Sequence, residues 1–315
     1  MLNFLKKLRN RQYNLSVYTS LFFLFPLFIR MPSPALSLFI KVRSYIRYKL
    51  GTYRAYIDRR GLKKRTIENI AGALKVDSKT ANNIFYQLMY LEVIVERNAF
   101  LLDTYRLSDL KKYFHMKGED NLQGALKKGK GVILPSIHSG DTMLFMLYMS
   151  LLGFNIYGFF DGSFLQKENL SPLEKLALLK DQKITTRIGK LYTGSGLKNI
   201  YKVLNDNGII VWMIDLPSQK SKRSCNVNFL GKDIAIDTTF LEISKKTGSA
   251  LLPCILTYNN KRDIHTIDFK GTLEPDEKSA QDLFSLYEPF IIKHPGSWIG
   301  WYIFDLFKSP EIRQE

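Results

Sequence analysis

The stretch GVILPSIHSGDTMLFMLY, residues 131–148, joins an apolar run to a helical pattern. Val132, Ile133 and Leu134 are typical of a buried strand, and the residues after Asp141 follow a helical period. The corner between them places His138 at the carboxyl end of a strand and beside a helix N-terminus. Open α/β sheets carry their chemistry at such corners. A histidine that only hydrogen-bonds at a strand end is the alternative.

Strand and helix patterns alternate along the rest of the chain after residue 121. They predict an α/β fold in which a mixed, mainly parallel sheet is covered by helices, preceded by a helical N-terminal region. The predicted division is a membrane-anchoring segment over 1–45, a helical region over 46–120 and the α/β domain over 121–315. The predicted strands lie near 155–160, 208–214, 250–257 and 264–269, and the predicted helices near 122–130, 173–180 and 197–204.

The charge of the chain indicates anionic partners. Its 315 residues include 46 Lys and Arg against 29 Asp and Glu, a net charge of +17, and 45% of them are hydrophobic. A phospholipid surface, nucleic acid and an acidic protein all fit that excess. Cys225 and Cys254 have no CxxC spacing and no histidine pair nearby, so neither a disulfide framework nor a metal site is expected.

The N-terminus predicts a membrane anchor. Residues Gln12 to Ile29 carry no charge, are rich in Leu and Phe, and lie between cations. Pro26 interrupts the run, which favours a bent anchor or re-entrant hairpin over a straight crossing. A cleaved signal peptide and a buried soluble helix are the alternatives, but no small-x-small cleavage site follows, and a buried helix has no need of cations at both ends.

Residues Thr66 to Leu88 contain two helical patterns joined near Asp77, which resemble a helix-turn-helix. DNA binding is therefore an alternative function. The second helix would present Asn82, Asn83 and Gln87 but few cations, so an αα-hairpin packed on the main domain is the preferred interpretation, without nucleic acid as a partner.

The order of features resembles the lysophospholipid acyltransferase superfamily and, within it, the bacterial late acyltransferases of lipid A biosynthesis. The likeness covers nearly the whole chain, and it rests on the order and spacing of several short motifs. Its parts are Gly129-Lys130-Gly131, His138-Ser139-Gly140, Arg187 before Gly189, 208–215, 227–231, 247–250 with Pro253, His294-Pro295, Trp298 and Trp301.

The resemblance implies a glycerolipid acyltransferase-like fold on the cytoplasmic face of the bacterial inner membrane. It implies acyl transfer from an acyl-carrier-protein or CoA thioester to a hydroxyl of a glycolipid, with no bound cofactor. Acyl carrier protein, membrane phospholipid and the glycolipid acceptor are the implied partners. A histidine suits that chemistry, since it takes a proton from an attacking hydroxyl near neutral pH.

The same resemblance implies substrate-binding roles for Arg187 and Asp215. Arg187 matches a family arginine that would contact a phosphate or carbonyl oxygen, and an ordinary surface cation is the alternative. Asp215 closes a strand and matches a family aspartate that would orient Arg187 or a loop. A turn role before Pro217 is its alternative.

One position departs from the family pattern of a histidine, four intervening residues and an acid. The fifth residue after His138 is Met143, and the nearby acid is Asp141. Because an imidazole acting as a base needs a carboxylate partner, Asp141 is predicted to share catalysis with His138. A first-turn helix residue is the alternative role, and Asp161 or Asp215 is the alternative acid.

Three functions therefore remain open from the sequence. The first is an inner-membrane acyltransferase acting on a glycolipid. The second is an enzyme of the same superfamily that transfers an aminoacyl or other unusual acyl group. The third is a membrane-bound relative without catalysis, or a DNA-binding protein.

Overall fold

The computed structural model describes residues 33–50, 61–160, 187–192, 197–217 and 223–307. Most of the predicted anchor, the predicted helix at 173–180 and Asp161 lie outside these ranges. Within them, no helix has the length and apolar character needed to cross a bilayer.

Helices dominate the first third of the described chain and then alternate with strands. The longest of the described helices, Ser78–Leu101, has 24 residues. The helices are α1 Ser33–Leu50, α2 Leu62–Leu74, α3 Ser78–Leu101, α4 Leu107–Lys111, α5 Glu119–Leu126, α6 Thr142–Leu151, α7 Leu197–Asn205, α8 Thr239–Thr247 and α9 Glu277–Lys293.

The strands form a central parallel sheet and two smaller pairings. They are β1 Phe114–Lys117, β2 Val132–Ser136, β3 Ile156–Phe160, β4 Gly189–Tyr192, β5 Ile209–Met213, β6 Ser224–Phe229, β7 Lys232–Asp237, β8 Ala250–Leu251, β9 Cys254–Asn259 and β10 Ile264–Phe269. The five-stranded sheet has the order β4-β3-β5-β2-β8, and every pairing in it is parallel. A mixed three-stranded sheet has the order β1-β10-β9, and β6 pairs with β7 as a hairpin.

The central strands are apolar on both faces because both faces are covered. Successive side chains of a strand point to opposite sides of the sheet. Accordingly, Ile133 of β2 lies in one hydrophobic core with Ile210, whereas Val132 and Leu134 lie in the other core. The predicted α/β fold with a mainly parallel sheet is confirmed.

The predicted αα-hairpin is present and packs on the main domain. Asp77 caps α3 by accepting the backbone N–H of Thr80, as the turn near that residue indicated. Asn69 of α2 donates to the carbonyl of Trp301, close to the C-terminal end of the described chain. The hairpin therefore packs against the C-terminal segment of the described chain.

The predicted strand over 250–257 is two strands in two sheets. The pairing of β8 with β2 stops at Leu251, and Cys254 begins β9 beside β10. Pro253 lies between them and has no backbone N–H to donate to a ladder, which explains the break. Strand β1 lies just before residue 121, where the α/β domain was predicted to begin. It nevertheless pairs with β10, a strand inside that predicted domain.

Candidate active site

The ring of His138 forms a hydrogen-bonded pair with a buried carboxylate. Its Nδ1 lies 2.6 Å from Oδ1 of Asp215, and its backbone N–H donates to Oδ2 of the same carboxylate at 2.8 Å. The His138 side chain is 37% exposed, whereas that of Asp215 is fully buried. A basic group at the surface, oriented by a buried acid, is the arrangement of an acid-base catalyst.

The register of the central sheet brings these two residues together. Strands β2 and β5 are parallel neighbours, and Ser136 at the end of β2 pairs with Met213 at the end of β5. His138 and Asp215 each follow two positions later. The carboxyl ends of parallel strands lie at one edge of a sheet, so both side chains reach the same crevice.

The surroundings of Asp215 keep its carboxylate ionised. Burial by itself would raise the pKa of Asp215. The facing His138 imidazole, together with hydrogen bonds from His138 and Trp298, outweighs burial and lowers the pKa below its ordinary value. An ionised carboxylate only accepts hydrogen bonds, so Nδ1 of His138 carries a proton and Nε2 is the basic nitrogen of the neutral ring.

A segment near the end of the described chain holds both members of the pair. Trp298 is fully buried, and its indole N–H donates to Oδ2 of Asp215 at 2.7 Å. The next backbone N–H, of Ile299, donates to the carbonyl of His138 at 2.8 Å, and Gly140 donates to the carbonyl of Ser297. Residues 297–299 thus hold the His138 loop through backbone hydrogen bonds and hold Asp215 through the Trp298 side chain.

Asp141 has a different place from the one predicted. It is the N-cap of α6, where one carboxylate oxygen accepts the backbone N–H of Leu144 and the other accepts Asn98 Nδ2 at 2.9 Å. Asn98 in turn accepts from Arg97 and Tyr105. The structure therefore pairs His138 with Asp215 and not with Asp141, whose oxygens are occupied by helix capping and by Asn98. A catalytic role for either acid stays a prediction.

Arg187 lies at the end of a helix of the N-terminal region. Its Nη1 donates to the carbonyl of Leu102 at 2.7 Å, and its Nη2 donates to the carbonyl of Tyr105 at 2.6 Å. Leu102 is the C-cap of α3, so the guanidinium satisfies carbonyls that the helix leaves open. The contact ties the central sheet to the helical region. A substrate contact through Arg187 stays a prediction.

The described residues contain no group of three or more His, Cys, Asp or Glu placed to hold a metal ion. Cys225 and Cys254 are free thiols, and burial raises the pKa of each. The expected absence of a metal and of a cofactor stays a prediction.

The fold and the site define an α/β protein with a histidine-aspartate pair at the carboxyl edge of a parallel sheet. The family model described as bacterial lipid A biosynthesis acyltransferase matches residues 3–309. A search of the curated proteins found no match. Because the model covers nearly the whole chain, the protein belongs to the bacterial lipid A biosynthesis acyltransferase family, as the resemblance of its motifs predicted.

Two parts of the site were not assigned from the sequence. Trp298 was noted only as one element of the resemblance, although its position after His294-Pro295 was a usable signal. Asn98 lies inside a helical pattern with no motif around it, so only the structure reveals that it binds Asp141.

Proposed function

We propose that this acyltransferase moves an acyl group from a carrier-protein or CoA thioester to a hydroxyl of a glycolipid such as a lipid A precursor, with His138 as general base. Membership of the family supports acyl transfer in lipid A biosynthesis. The observation that carries the mechanism is the 2.6 Å contact between His138 Nδ1 and Asp215. It supplies the oriented, partly exposed base that activation of a hydroxyl requires.

The proposed reaction needs no covalent enzyme intermediate. Nε2 of His138 takes the proton of the acceptor hydroxyl while the oxygen attacks the thioester carbonyl. The carbon–sulfur bond then breaks, and the leaving thiolate receives the proton from the imidazolium. Asp215 stabilises the positive ring between these steps. The N-terminus of α6, which begins four residues after His138, favours negative charge near the reacting carbonyl.

The partners proposed are acyl carrier protein, membrane phospholipid and the glycolipid acceptor, at the cytoplasmic face of the bacterial inner membrane. The net charge of +17 supports contact with an acidic carrier and with anionic headgroups. The uncharged Gln12 to Ile29 run between cations supports membrane attachment.

Lipid mass spectrometry tests this function. Glycolipid is extracted from cells with the protein, from cells without it and from cells that carry His138→Ala at equal abundance. We expect a defined mass increment in the first sample and its absence from the other two. A mass increment that equals a fatty-acyl group supports the proposal. An increment that equals an aminoacyl group would mean that the donor is an aminoacyl carrier instead. Identical glycolipid in all three samples would favour a relative without catalysis.

A further inference from the structure

The two arginines of helix α1 point toward the protein. Arg43 makes a paired contact with Glu96 of α3, at 2.8 and 3.0 Å. Arg47, one turn later, also donates to Glu96 at 2.7 Å and lies 3.8 Å from Glu92. These ion pairs are largely removed from solvent, and together with the buried Ile40 they hold α1 against α3.

The opposite face of α1 is apolar and points outward. Leu38, Val42, Tyr45 and Ile46 are 64%, 50%, 53% and 49% exposed. At 100° per residue they lie within about 100° of arc. Among the described residues, this one helix contributes four of the seven exposed large hydrophobic side chains. A surface helix of a water-soluble protein ordinarily has charged and polar residues on its outer face.

The sequence around α1 indicates what covers this face. Lys41 and Lys49 are exposed on the same helix. The uncharged Gln12 to Ile29 run ends three residues before α1, with Arg30 in between, and the net charge is +17. An exposed apolar stripe with Lys49 within its arc and Lys41 beside it, near a hydrophobic segment, has the chemistry of a helix that lies in a membrane interface.

We propose that the outer face of α1 lies in the headgroup region of an anionic phospholipid bilayer, with the helix parallel to the membrane plane. This inference deepens the membrane attachment of the proposed function by naming the surface that makes the contact. Tyr45 suits the headgroup region, where the ring of a tyrosine contacts apolar lipid while its hydroxyl contacts water. The stem of the exposed Lys41 would cover apolar surface while its ammonium group reaches the phosphates. The Lys49 ammonium group lies over the rings of Tyr45 and Tyr48, which places a positive charge within the stripe.

The contact would also set the orientation of the active site. The ion pairs of Arg43 and Arg47 join α1 to α3. Farther along α3, Asn98 binds Asp141 at the start of α6, three residues after His138. A membrane-bound α1 therefore fixes the direction in which the His138 crevice faces the bilayer.

Tryptophan fluorescence with brominated lipids measures the contact directly. The three native tryptophans, at positions 212, 298 and 301, are buried, so they report little on lipid. The full chain carrying Ile46→Trp is mixed with vesicles of phosphatidylglycerol and phosphatidylcholine, with or without bromine on the acyl chains. Ile292→Trp is the matched control, since Ile292 is 58% exposed on α9.

We expect brominated vesicles to quench Ile46→Trp at least about twofold more strongly than Ile292→Trp. Equal quenching in vesicle-bound protein would overturn the α1 contact while leaving membrane attachment through residues 1–32 in place. A tryptophan at 46 that is already blue-shifted without lipid would mean that the chain itself or a second copy covers α1. Failure of the full chain to bind either vesicle would overturn both the contact and the attachment.

A charge variant gives a second readout. Val42→Glu/Ile46→Glu should lower partition into anionic vesicles by about tenfold or more, because acidic side chains on the apolar face oppose burial beside anionic headgroups. Ile292→Glu should leave partition within about twofold. Thermal unfolding checks that each variant is folded, and unchanged partition of a folded double variant would contradict the proposal. None of these outcomes depends on catalysis, so acyl transfer is tested separately.

Discussion

Nδ1 of His138 lies 2.6 Å from Oδ1 of Asp215, although the two residues are 77 positions apart in the chain. The family pattern places the acid five residues after the histidine, and Met143 occupies that position here. The acid instead comes from the end of the neighbouring parallel strand. His138 therefore has a carboxylate partner although Met143 stands where the family pattern has an acid.

Trp298→Phe should weaken catalysis through Asp215. The variant keeps most of the ring volume but removes the hydrogen bond to Oδ2, so the carboxylate binds a protonated imidazole more tightly. We expect kcat to fall about tenfold. We also expect the acidic limb of kcat/KM against pH to move to higher pH. Lower thermal stability with an unmoved limb would indicate a packing role alone.

Arg187→Ala should reduce stability more than catalysis. The guanidinium satisfies the carbonyls of Leu102 and Tyr105, and unpaired buried acceptors cost about 1–3 kcal/mol each. Arg223→Ala is the control, since its contact with Glu242 lies at the surface and should cost under about 1 kcal/mol. Denaturant unfolding measures both. A fully stable Arg187→Ala protein with strongly reduced transfer would support the substrate contact expected from the sequence.

Asp141 should give the protein a pH-dependent stability. Burial raises the pKa of Asp141 to about 6, against opposing hydrogen bonds from Asn98 and Leu144. A raised acid pKa stabilises the fold below the unfolded value near 4, and this contribution is lost as the pH rises through 6. From pH 3.5 to 7, Asp141→Asn should therefore gain stability relative to wild type by on the order of 2–3 kcal/mol. A constant difference between the two proteins would contradict this.

Gly131→Ala should destabilise the central strand by about 2 kcal/mol or more. Gly131 has φ of 70°, and an added Cβ would lie 2.7 Å from the carbonyl oxygen of Leu204. Gly129 has φ of 68° with nothing within 4 Å of such a Cβ, so Gly129→Ala measures the backbone strain alone. Denaturant unfolding of the two variants should show the larger loss at 131. Equal losses of stability in the two variants would mean that the backbone near Leu204 moves to make room for the added Cβ.

The strand-to-helix corner could be predicted because its residues change period within one short stretch. Apolar Val132 to Leu134 and the helical run after Asp141 place His138 correctly, and β2 and α6 confirm them. Asp215 was also identified, as the residue that closes a strand. Local patterns indicate where strands end, and both residues stand at such ends.

The pairing of His138 with Asp215 could not be predicted in the same way. It depends on β5 lying beside β2, and strand order is set by the packing of the whole sheet rather than by local periodicity. Asp141 looked like the partner because it is near in sequence. Its two oxygens are instead taken by a local capping bond from Leu144 and by a long-range hydrogen bond from Asn98, which no local pattern indicates.

Steady-state kinetics of Asp215→Asn beside Asp141→Asn test the central claim, that Asp215 is the acid partner of His138. Each variant changes one buried carboxylate to an amide, and circular dichroism first shows that both are folded at the assay temperature. An amide at 215 turns a donor toward Nδ1 and favours the tautomer with the proton on Nε2, which cannot accept one. We predict that Asp215→Asn lowers kcat by about 10²- to 10⁴-fold while Asp141→Asn stays within about tenfold of wild type. Near-normal turnover by Asp215→Asn, with a large loss in Asp141→Asn, would contradict the account.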